Sequence, residues 1–558
     1  MKPACPTQFE SQGIPAIRVR FEPEFDNAEA VEEWYCGHFT TGGETHSIDW
    51  VTNPSDDLEW HIVLHKFHHA PILVQRWLQT GEARHLDLLE THIAQWIGEI
   101  PPGFIAADVT GRRIRNWVYA LSLLGTARPK LSAAMATSLR HQVEWLQANL
   151  HAKRNHRTLE LFAIYIAGVW LGEAGLTDFA MDELLANARS DFLSDGVHIE
   201  LSSHYHCIAL RNFCEAIELA DDNGLPVPSE LRAIVARASH FARVLHKPDG
   251  HIPALSDGDT GDYRAMLGLG KASKLVELFP AGGYAVMRDR RAVLGHRDGG
   301  YLAFDCGDIG AGNHGHLDCL SFEFAACGRS LIVDPGRYTY HEGGETNWRA
   351  EFRRTRAHNL VQVNRCEQTL YRQGPKRMKI NGPAPVAELL AYHDLGHCRI
   401  VQASAASHEY AVVHQRSIIS HDHGWWLVHD RLEGLEENLY EALFQLAPEA
   451  QDHVRAPQST SGFGRIEMPD LAMIVASSHN PQIELEQGWV APTYGMKLAA
   501  PRIVAAQTAQ SSWFGTLLLP GGLASRSLKF NCEANGFTVN GEYFSIPYVA
   551  ELPGARGR

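Results

Sequence analysis

The segment NHGHLDCLSFEFAACGRSLIVDPG, residues 313–336, carries the two features on which the interpretation of this chain depends. Its runs LSFEFAACG and SLIVDPG are short, rich in β-forming residues and separated by glycine, which predicts antiparallel strands. Ahead of them, His314 and His316 lie two residues apart, so in an extended segment both side chains leave the same face. With Asp334 and with His358 of the later motif RRTRAHN, they form a nitrogen and oxygen set that zinc prefers. This pattern indicates an enzyme in which one histidine holds a metal and its neighbour is free for proton transfer.

The chain after residue 282 keeps the same β texture. Short alternating or β-branched runs recur between Gly, Asp, Asn or Pro, namely YAVMRD, RAVLGHRD, GYLAFDCG, HNLVQVN, YAVVHQRSIIS, WWLVHDRLEG, IEMPDLAMIVASS and GTLLLPGG. Many short strands with turn signals between them predict a β-sandwich or stacked antiparallel sheets.

The chain before residue 280 has helical periodicity instead. In NHRTLELFAIYIAGVWLGEAG the apolar residues Leu159, Phe162, Ile166, Val169 and Trp170 fall on one helical stripe, and Gly172 and Gly175 predict its end. Similar stretches cover residues 58–79, 83–97, 112–124, 132–150, 199–221 and 229–246. Successive amphipathic helices with short connections predict helical hairpins packed side by side, without the fixed period of a solenoid.

Composition limits the classes of partner. The 558 residues are enough for more than one domain, and 50 basic minus 65 acidic side chains give a formal charge of −15, which argues against binding to nucleic acid or to an anionic membrane. Arginines that cluster in each half still allow an anionic substrate. No apolar run is long enough to span a bilayer. The ten cysteines lack CxxC spacing and are expected to be reduced core thiols.

The N-terminal sequence suggests a compartment. It shows no apolar segment of the kind found in secretory signals, so we expect a cytoplasmic location, or a periplasmic one if a leader has been removed. A homo-oligomer is compatible with the sequence.

Four motifs in order, NHRTLE, DGVHIELSSHYH, HGHLD with VDPG, and RRTRAHN, resemble the heparinase II/III-like polysaccharide lyases over about residues 55–440. The resemblance implies a multidomain chain, with helices first and strands second. Residues 1–50 would be an N-terminal extension, residues 51–280 an incomplete (α/α) toroid and residues 281–558 an antiparallel β-sandwich. It also implies a carbon–oxygen lyase that cleaves a uronic-acid-containing polysaccharide or oligosaccharide by β-elimination.

The same resemblance assigns catalytic roles to individual residues. Tyr205 in SSHYH matches the tyrosine that acts as base and acid, although His204 replaces the usual proline. Asn155 or His156 of NHR would neutralise the uronate carboxylate, and the sequence leaves the choice between them open. His314 matches the second catalytic residue, so we expect Tyr205 and His314 to converge on one sugar ring.

The resemblance also suggests a metal but no organic cofactor. Its structural zinc ligands match His316, Asp334 and His358, and another divalent transition metal would suit the same set. Such a metal would anchor the loop that carries His314, because elimination needs no metal-activated water.

Further residues are predicted to bind the anionic substrate. Arg113 lies four residues before Trp117, so both face one side of a helix, and the pair is expected to line a sugar subsite. Arg157, His206 and Arg353 lie beside the catalytic motifs and complete this set. By contrast, Asp257 and Asp259 of the loop KPDGHIPALSDGD are predicted to be structural turn acids.

Two other functions compete with the lyase. A glycoside hydrolase on the same helical scaffold would need two acids across the scissile bond, and the motifs are rich in His, Tyr and Asn but poor in paired acids. A non-catalytic glycan-binding protein could keep the fold, but the presence of Asn155, Tyr205 and His314 argues against loss of catalysis.

Overall fold

The computed structural model describes residues 15–22, 24–310, 313–374, 378–455, 458–460, 463–526 and 528–547. The chain divides into two compact units, residues 1–192 with 208–236 and residues 193–207 with 237–558. The division at residue 280 that the sequence suggests therefore differs from these units, because residues 193–207 and 237–280 belong with the sheets.

The first unit is built from helices, which confirms the helical interpretation of the N-terminal half. The helices are α1 (Ala28–Tyr35), α2 (Leu58–His65), α3 (His69–Thr80), α4 (Arg84–Glu99), α5 (Ala107–Leu124), α6 (Pro129–Ala148), α7 (Arg154–Leu171), α8 (Ala174–Asp191), α9 (Ser203–Asp222) and α10 (Ser229–Leu245). A hairpin of β1 (His38–Thr41) and β2 (Glu44–Ser47) precedes α2. The first turn of α9 and the second half of α10 belong to the other unit.

Local sequence explains the end of α7 but not the break between α2 and α3. Gly172 ends α7 in the left-handed region at φ 71°, as the sequence predicts. The predicted helix over residues 58–79 is instead two helices, α2 and α3, broken where Phe67 adopts a φ of 58°. Phe67 is fully buried and stacks on Trp50 with ring centroids 5.0 Å apart, so aromatic burial offsets a backbone conformation that costs a side chain roughly 1–2 kcal/mol.

The second unit consists of antiparallel sheets. In chain order its strands are β3 (Val276–Phe279), β4 (Tyr284–Arg288), β5 (Tyr301–Asp305), β6 (Phe322–Ala326), β7 (Arg329–Ile332), β8 (Val361–Val363), β9 (Tyr371–Gln373), β10 (Met378–Ile380), β11 (Val386–Asp394), β12 (Cys398–Ala406), β13 (Val412–His421), β14 (Trp426–Gly434), β15 (Asn438–Gln445), β16 (Gln458–Thr460), β17 (Phe463–Met468), β18 (Leu471–Ser477), β19 (Gln482–Val490), β20 (Leu498–Ala509), β21 (Ser512–Pro520), β22 (Phe530–Glu533), β23 (Gly536–Val539) and β24 (Glu542–Ser545). Two short helices, α11 (Arg290–Val293) and α12 (Trp348–Arg353), lie between strands.

These strands form several sheets. A five-stranded sheet runs β3-β4-β5-β6-β7, an eight-stranded sheet runs β11-β12-β13-β14-β21-β18-β17-β16, and a four-stranded sheet runs β19-β20-β15-β8. A three-stranded sheet, β22-β23-β24, and the pair β9 and β10 complete the unit. The run RAVLGHRD is not the predicted strand, because the Asp289 carboxylate accepts the backbone N–H of Ala292 and starts α11.

The eight-stranded sheet is buried on both faces. Val401, Ile418 and Val428 enter a core shared with the phenylalanines of β5, β6 and β15. Ile400, Ile419 and Leu427, one position along each strand, enter a second core closed by Trp425 and by Phe537 and Phe544 of the three-stranded sheet. Burial on two faces explains why these strands appear as nearly continuous apolar runs.

Within the described residues, no helix combines the length and the apolar character that crossing a lipid bilayer requires. None of the described cysteines forms a disulfide bond.

Helices α3 and α4 bury histidines in the neutral form. Both ring nitrogens of His69 and Nδ1 of His92 have no hydrogen-bond partner among the described residues, and the two rings lie 5.2 Å apart. Burial lowers the pKa of His69 well below its ordinary value and lowers that of His92 to about 4. Acid should therefore destabilise this unit.

Replacing His69 by Phe is expected to flatten the pH dependence of stability. The unfolded imidazole binds a proton below about pH 6.5, whereas the folded one stays neutral. Its contribution is therefore complete above that pH and is lost as the pH falls, at up to about 1.4 kcal/mol per pH unit. Melting temperatures of wild type and His69→Phe at about pH 7.5 and about pH 5.5 test this. The control is His141→Gln at an exposed position; equal slopes in wild type and His69→Phe would contradict the prediction.

Candidate active site

The start of α9 is fixed to the loop before β3. Ser202 Oγ donates to the backbone oxygen of Asp257 at 3.2 Å, and Ser203 Oγ donates to that of Pro253 at 2.6 Å. Both serines are buried. These bonds set the position of Tyr205 in the first helical turn relative to the loop that carries Asp257.

Tyr205 shares its hydroxyl with a second phenol and a guanidinium. Its Oη lies 2.6 Å from Tyr340 Oη, and Arg337 Nη1 donates to both oxygens, at 3.1 Å to Tyr205 and 2.7 Å to Tyr340. Arg337 Nη2 also donates to Asp259 Oδ2 at 2.5 Å. Because burial raises the pKa of Tyr340 well above its ordinary value, although Arg337 opposes the shift, Tyr340 remains a phenol that can donate to Tyr205.

The ring of Tyr205 stacks on His314. The two centroids are 3.7 Å apart and the planes are inclined by 23°. Tyr340 Oη also lies 3.4 Å from His314 Nδ1. The structure therefore brings together the two residues that the sequence analysis expected to converge, one from the first turn of a helix and the other from the loop between β5 and β6.

The carboxylate of Asp257 binds three side chains of this site. Its fully buried carboxylate accepts from His314 Nδ1 and His316 Nε2, each at 2.9 Å, and from both terminal nitrogens of Arg349. Burial alone would raise the pKa of Asp257, but Arg349 and the two histidines outweigh it and hold that pKa well below its ordinary value. An ionised Asp257 keeps the His314 proton on Nδ1 and leaves the lone pair on Nε2.

His314 is neutral at physiological pH. Burial lowers its pKa, and the opposing effect of Asp257 does not restore the ordinary value. A neutral imidazole with its Nδ1 proton held by a carboxylate has the tautomer that leaves Nε2 as a base or an acceptor.

Three buried groups beside this network have the chemistry of a metal site. Ligand atoms of His316, Asp318 and His358 lie within 4.8 Å of one another. His316 Nδ1 and His358 Nε2 have no hydrogen-bond partner in the described part of the chain. Burial raises the pKa of Asp318 to about 6, although His358 opposes the shift. Two unpartnered imidazole nitrogens and a carboxylate fit a divalent transition metal.

The position of Asp334 differs from the predicted ligand set. Its Oδ2 accepts from His358 Nδ1 at 2.9 Å, and Asp318 takes the place of the carboxylate within the group of three. Asp334 thus orients His358, as Asp257 orients His316, in the way that carboxylates commonly support metal-binding histidines.

Two predicted substrate-binding residues of this unit are buried. His206 is held by Ala238, whose backbone oxygen lies 3.0 Å from Nε2, and its Nδ1 accepts the backbone N–H of His198, so it packs the helix rather than facing a ligand. Arg353 donates from Nε and Nη2 to the backbone oxygen of Gly315, at 3.1 and 2.8 Å. Arg353 thus holds the loop of His314 and His316, and substrate contact by either residue stays a prediction.

Predicted residues in the helical unit have different surroundings. Arg113 and Trp117 are fully buried, and Arg113 lies over Trp96 and donates to Gln142 Oε1 at 2.8 Å, so both side chains take part in the packing of the helical unit and the sugar subsite stays a prediction. Arg157, which was also predicted to bind substrate, forms an ion pair with Glu183.

Asn155 and His156 lie in the first turn of α7. Asn155 is buried, whereas His156 is half-buried and its Nδ1 lies 3.3 Å from Asp108 Oδ2. These environments leave the choice of carboxylate neutraliser open.

Several residues of the site were missed by sequence reasoning. Asp257 is no turn acid, and Arg337, Tyr340 and Arg349 were not assigned to the site. A partial signal was available: the run DPGRYTY places Arg337 and Tyr340 directly after Asp334. Arg349 and Arg353 are four residues apart on α12, so one helix face serves both Asp257 and Gly315.

Asp257→Asn is expected to destabilise the fold by roughly 3–5 kcal/mol, because it leaves the Arg349 charge buried without a counter-charge. The control is Asp262→Asn in the same loop, whose partner Arg264 is a third exposed, and there we expect less than about 1 kcal/mol. Chemical unfolding measures both. Equal losses in the two variants would show that Asp257 does not carry this network.

Comparison with known proteins agrees with this architecture. Residues 22–283 match the family model described as Heparinase II/III N-terminus, and residues 271–521 match the one described as Heparinase II/III-like, C-terminal. A heparin-sulfate lyase of Bacteroides stercoris is 23% identical over 329 residues, which are 53% of this chain and 46% of the relative. A heparin-sulfate lyase of Bacteroides thetaiotaomicron is 24% identical over 266 residues, 39% of this chain and 37% of the relative. The chain thus matches less than half the length of each relative.

A solved structure matches over nearly its whole length. The crystal structure of heparinase III superposes with a TM-score of 0.78 at 17% identity, covering 95% of this chain and 91% of that one. At that identity the likeness shows the fold alone, and it confirms a helical toroid followed by an antiparallel β-sandwich. Because the two family models together span residues 22–521, the chain belongs to the heparinase II/III-like family.

Proposed function

We propose that this protein is a polysaccharide lyase that cleaves a uronic-acid-containing glycan by β-elimination, with heparan-sulfate-like glycosaminoglycans as the first substrates to test. One observation carries the proposal. The hydroxyl of Tyr205 is hydrogen-bonded to Arg337 and Tyr340, and the ring of Tyr205 stacks on His314. The names of the two curated relatives support the choice of substrate class.

The reaction has three chemical requirements. A base must remove the C5 proton next to the uronate carboxylate, and an acid must protonate the O4 atom as the C4–O4 bond breaks. Negative charge that develops on the carboxylate must also be stabilised by hydrogen bonds or cations. No water is consumed, and the product has a C4–C5 double bond.

Tyr205 meets the first two requirements on one face of the sugar. As a phenolate it accepts the C5 proton, and as a phenol it returns a proton to O4. Arg337 stabilises the phenolate by charge and by its hydrogen bond, and Tyr340 donates a second hydrogen bond. His314, with Nε2 unprotonated, is the second catalytic residue and orients the ring or accepts a proton.

Asn155 or His156 would neutralise the carboxylate. The amide of Asn155 and the imidazole of His156 can each donate a hydrogen bond to a carboxylate, and His156 is in contact with Asp108. Separate Asn155→Ala and His156→Ala variants distinguish them.

A divalent metal, zinc by its ligand chemistry, would be held by His316, Asp318 and His358, with Asp334 behind His358. When bound it would supply fixed positive charge that anchors the loop of His314. No step of the elimination requires it.

A hydrolase is the weaker alternative. Two acids contact the partners of Tyr205, namely Asp257 through His314 and Asp259 through Arg337, and each is paired with an arginine, Arg349 and Arg337 respectively. They are therefore poorly suited to serve as the pair of free carboxyl groups that glycoside hydrolysis needs. Ultraviolet absorbance of an unsaturated uronate product separates the two reactions directly, since hydrolysis yields reducing ends without it.

Tyr205→Phe is expected to lower turnover by at least about 10²–10⁴-fold while leaving glycan binding and melting temperature unchanged. Product absorbance gives the rate, and the exposed Tyr392→Phe is the matched control. Retained activity in Tyr205→Phe would refute its role in proton transfer.

His358→Ala is expected to lower both the metal content and the melting temperature of the purified chain, because it removes one of three ligands from a buried site. Elemental analysis and thermal unfolding, with and without a chelator, measure the two effects. Equal metal content in wild type and His358→Ala would mean that no zinc binds at this position. That result would contradict the proposed metal site.

A further inference from the structure

Three tight turns of the sheet unit bring together a second group of metal-ligating side chains, which shares no residue with the proposed catalytic site. His397 precedes β12, His421 ends β13, and Glu542 begins β24. Glycines with positive φ shape the turns: Gly396 at 83°, Gly424 at 86°, and Gly541 at 88°. One ligand atom from each side chain lies within 4.8 Å of the others.

The backbone fixes these positions without help from a ligand. Cys398 pairs with His421 in the antiparallel ladder, and the backbone N–H of Asp422 donates to the His397 oxygen at 2.9 Å. Asn540 and Gly541, both with positive φ, form the two-residue loop of the β23–β24 hairpin, a geometry typical of a type I′ turn. Such a loop places Glu542 at the first paired position.

His421 is the buried member of the group. It is 4% exposed and stacks on Trp425, with centroids 4.4 Å apart and planes inclined by 10°. Its Nδ1 accepts the backbone N–H of His423, and its Nε2 is buried with no hydrogen-bond partner in the described part of the chain. Burial, with His423 and His397 nearby, lowers its pKa to about 4, so the ring is neutral at physiological pH.

The other two members are open to solvent. His397 Nε2 lies 3.6 Å from Glu542 Oε1, and their side chains are 54% and 57% exposed. This separation exceeds that of a good hydrogen bond, and exposed side chains can rotate by the small amount that coordination requires. A weak surface ion pair explains the contact between His397 and Glu542 but leaves the free nitrogen of His421 unexplained.

We propose that His397, His421 and Glu542 form a second site for a divalent transition metal such as zinc. A metal bound there would link the three-stranded sheet β22-β23-β24 to the turns of the eight-stranded sheet. Two imidazoles and one carboxylate with an open fourth position are a set that zinc accepts. Coordination at Nε2 of His421 would move the ring proton to Nδ1. Nδ1 would then lose the hydrogen bond that it accepts from the backbone N–H of His423, an exposed residue. This proposal does not rest on the lyase activity.

The experiment compares zinc uptake by the full chain in wild type, His397→Ala and Glu542→Gln. Because both altered side chains are exposed, these variants should fold, whereas changing the stacked His421 would disturb the core. Equilibrium dialysis against low micromolar zinc chloride, followed by elemental analysis, should show each variant with one equivalent less than wild type. Zinc should also raise the melting temperature of wild type more than that of either variant.

Two controls separate this site from other histidines. His408→Ala changes an exposed histidine in the loop at the opposite end of the β12–β13 hairpin, and Glu533→Gln makes the same charge change in the three-stranded sheet. Both should bind like wild type. The one-equivalent difference should persist in a His358→Ala background, which removes the buried site. Equal zinc uptake by wild type, His397→Ala and Glu542→Gln, or an equal loss in the controls, would overturn the proposal.

Discussion

The buried carboxylate of Asp257 is the constraint on which the site depends. An ionised carboxylate removed from water is stable only if its oxygens are fully compensated, and here the compensation comes from Arg349, His314 and His316. These partners belong to α12 and to the loop before β6. A buried pair of this kind adds little net stability compared with apolar packing, but it fixes where each partner lies. The orientation of His314 is one consequence, and the free nitrogen of His316 is another.

Arg337 and Asp259 form a second charge pair, which is less buried than the pair of Asp257 and Arg349. Arg337 is buried and donates from Nη2 to Asp259, and its Nη1 donates to the hydroxyls of Tyr205 and Tyr340. Asp257 and Asp259 are two residues apart in one loop, so a single short segment anchors both arginines. The stacking of Tyr205 on His314 follows from these two pairs, since each pair sets the position of one partner of the stack.

The fold was largely predictable from sequence because its signals are local. The stripe and terminal glycine of α7, and the alternation of apolar runs such as LSFEFAACG, are properties of single elements. The failures are tertiary. Helix α8 was missed because small and polar residues such as Thr177, Ala180 and Asn187 share its buried face with only two large apolar ones, Met181 and Leu184, which gives little periodic signal. The break at Phe67 depends on aromatic partners that no local window contains.

The same distinction holds for the site. Tyr205 and His314 stand in motifs, and the expectation that they converge agrees with their stacking, whereas Asp257 has an ordinary turn sequence and acquires its role from Arg349, 92 residues away. Arg113 shows a related limit of sequence, because a helical face shared with Trp117 indicates proximity but does not tell buried from exposed, and both side chains are buried.

The charge of the site also differs from that of the chain. A formal charge of −15 would repel an anionic glycan at long range, but salt screens exposed charges beyond about 8–10 Å. What a bound uronate would meet is local: neutral His314, and the cation of Arg337 next to the Tyr205 hydroxyl. Asp259 accepts a hydrogen bond from Nη2 of Arg337 and so holds the guanidinium in place, while Nη1 donates to the phenol oxygens. A substrate of this class would therefore be selected by short-range hydrogen bonds within the site rather than by the field of the whole protein.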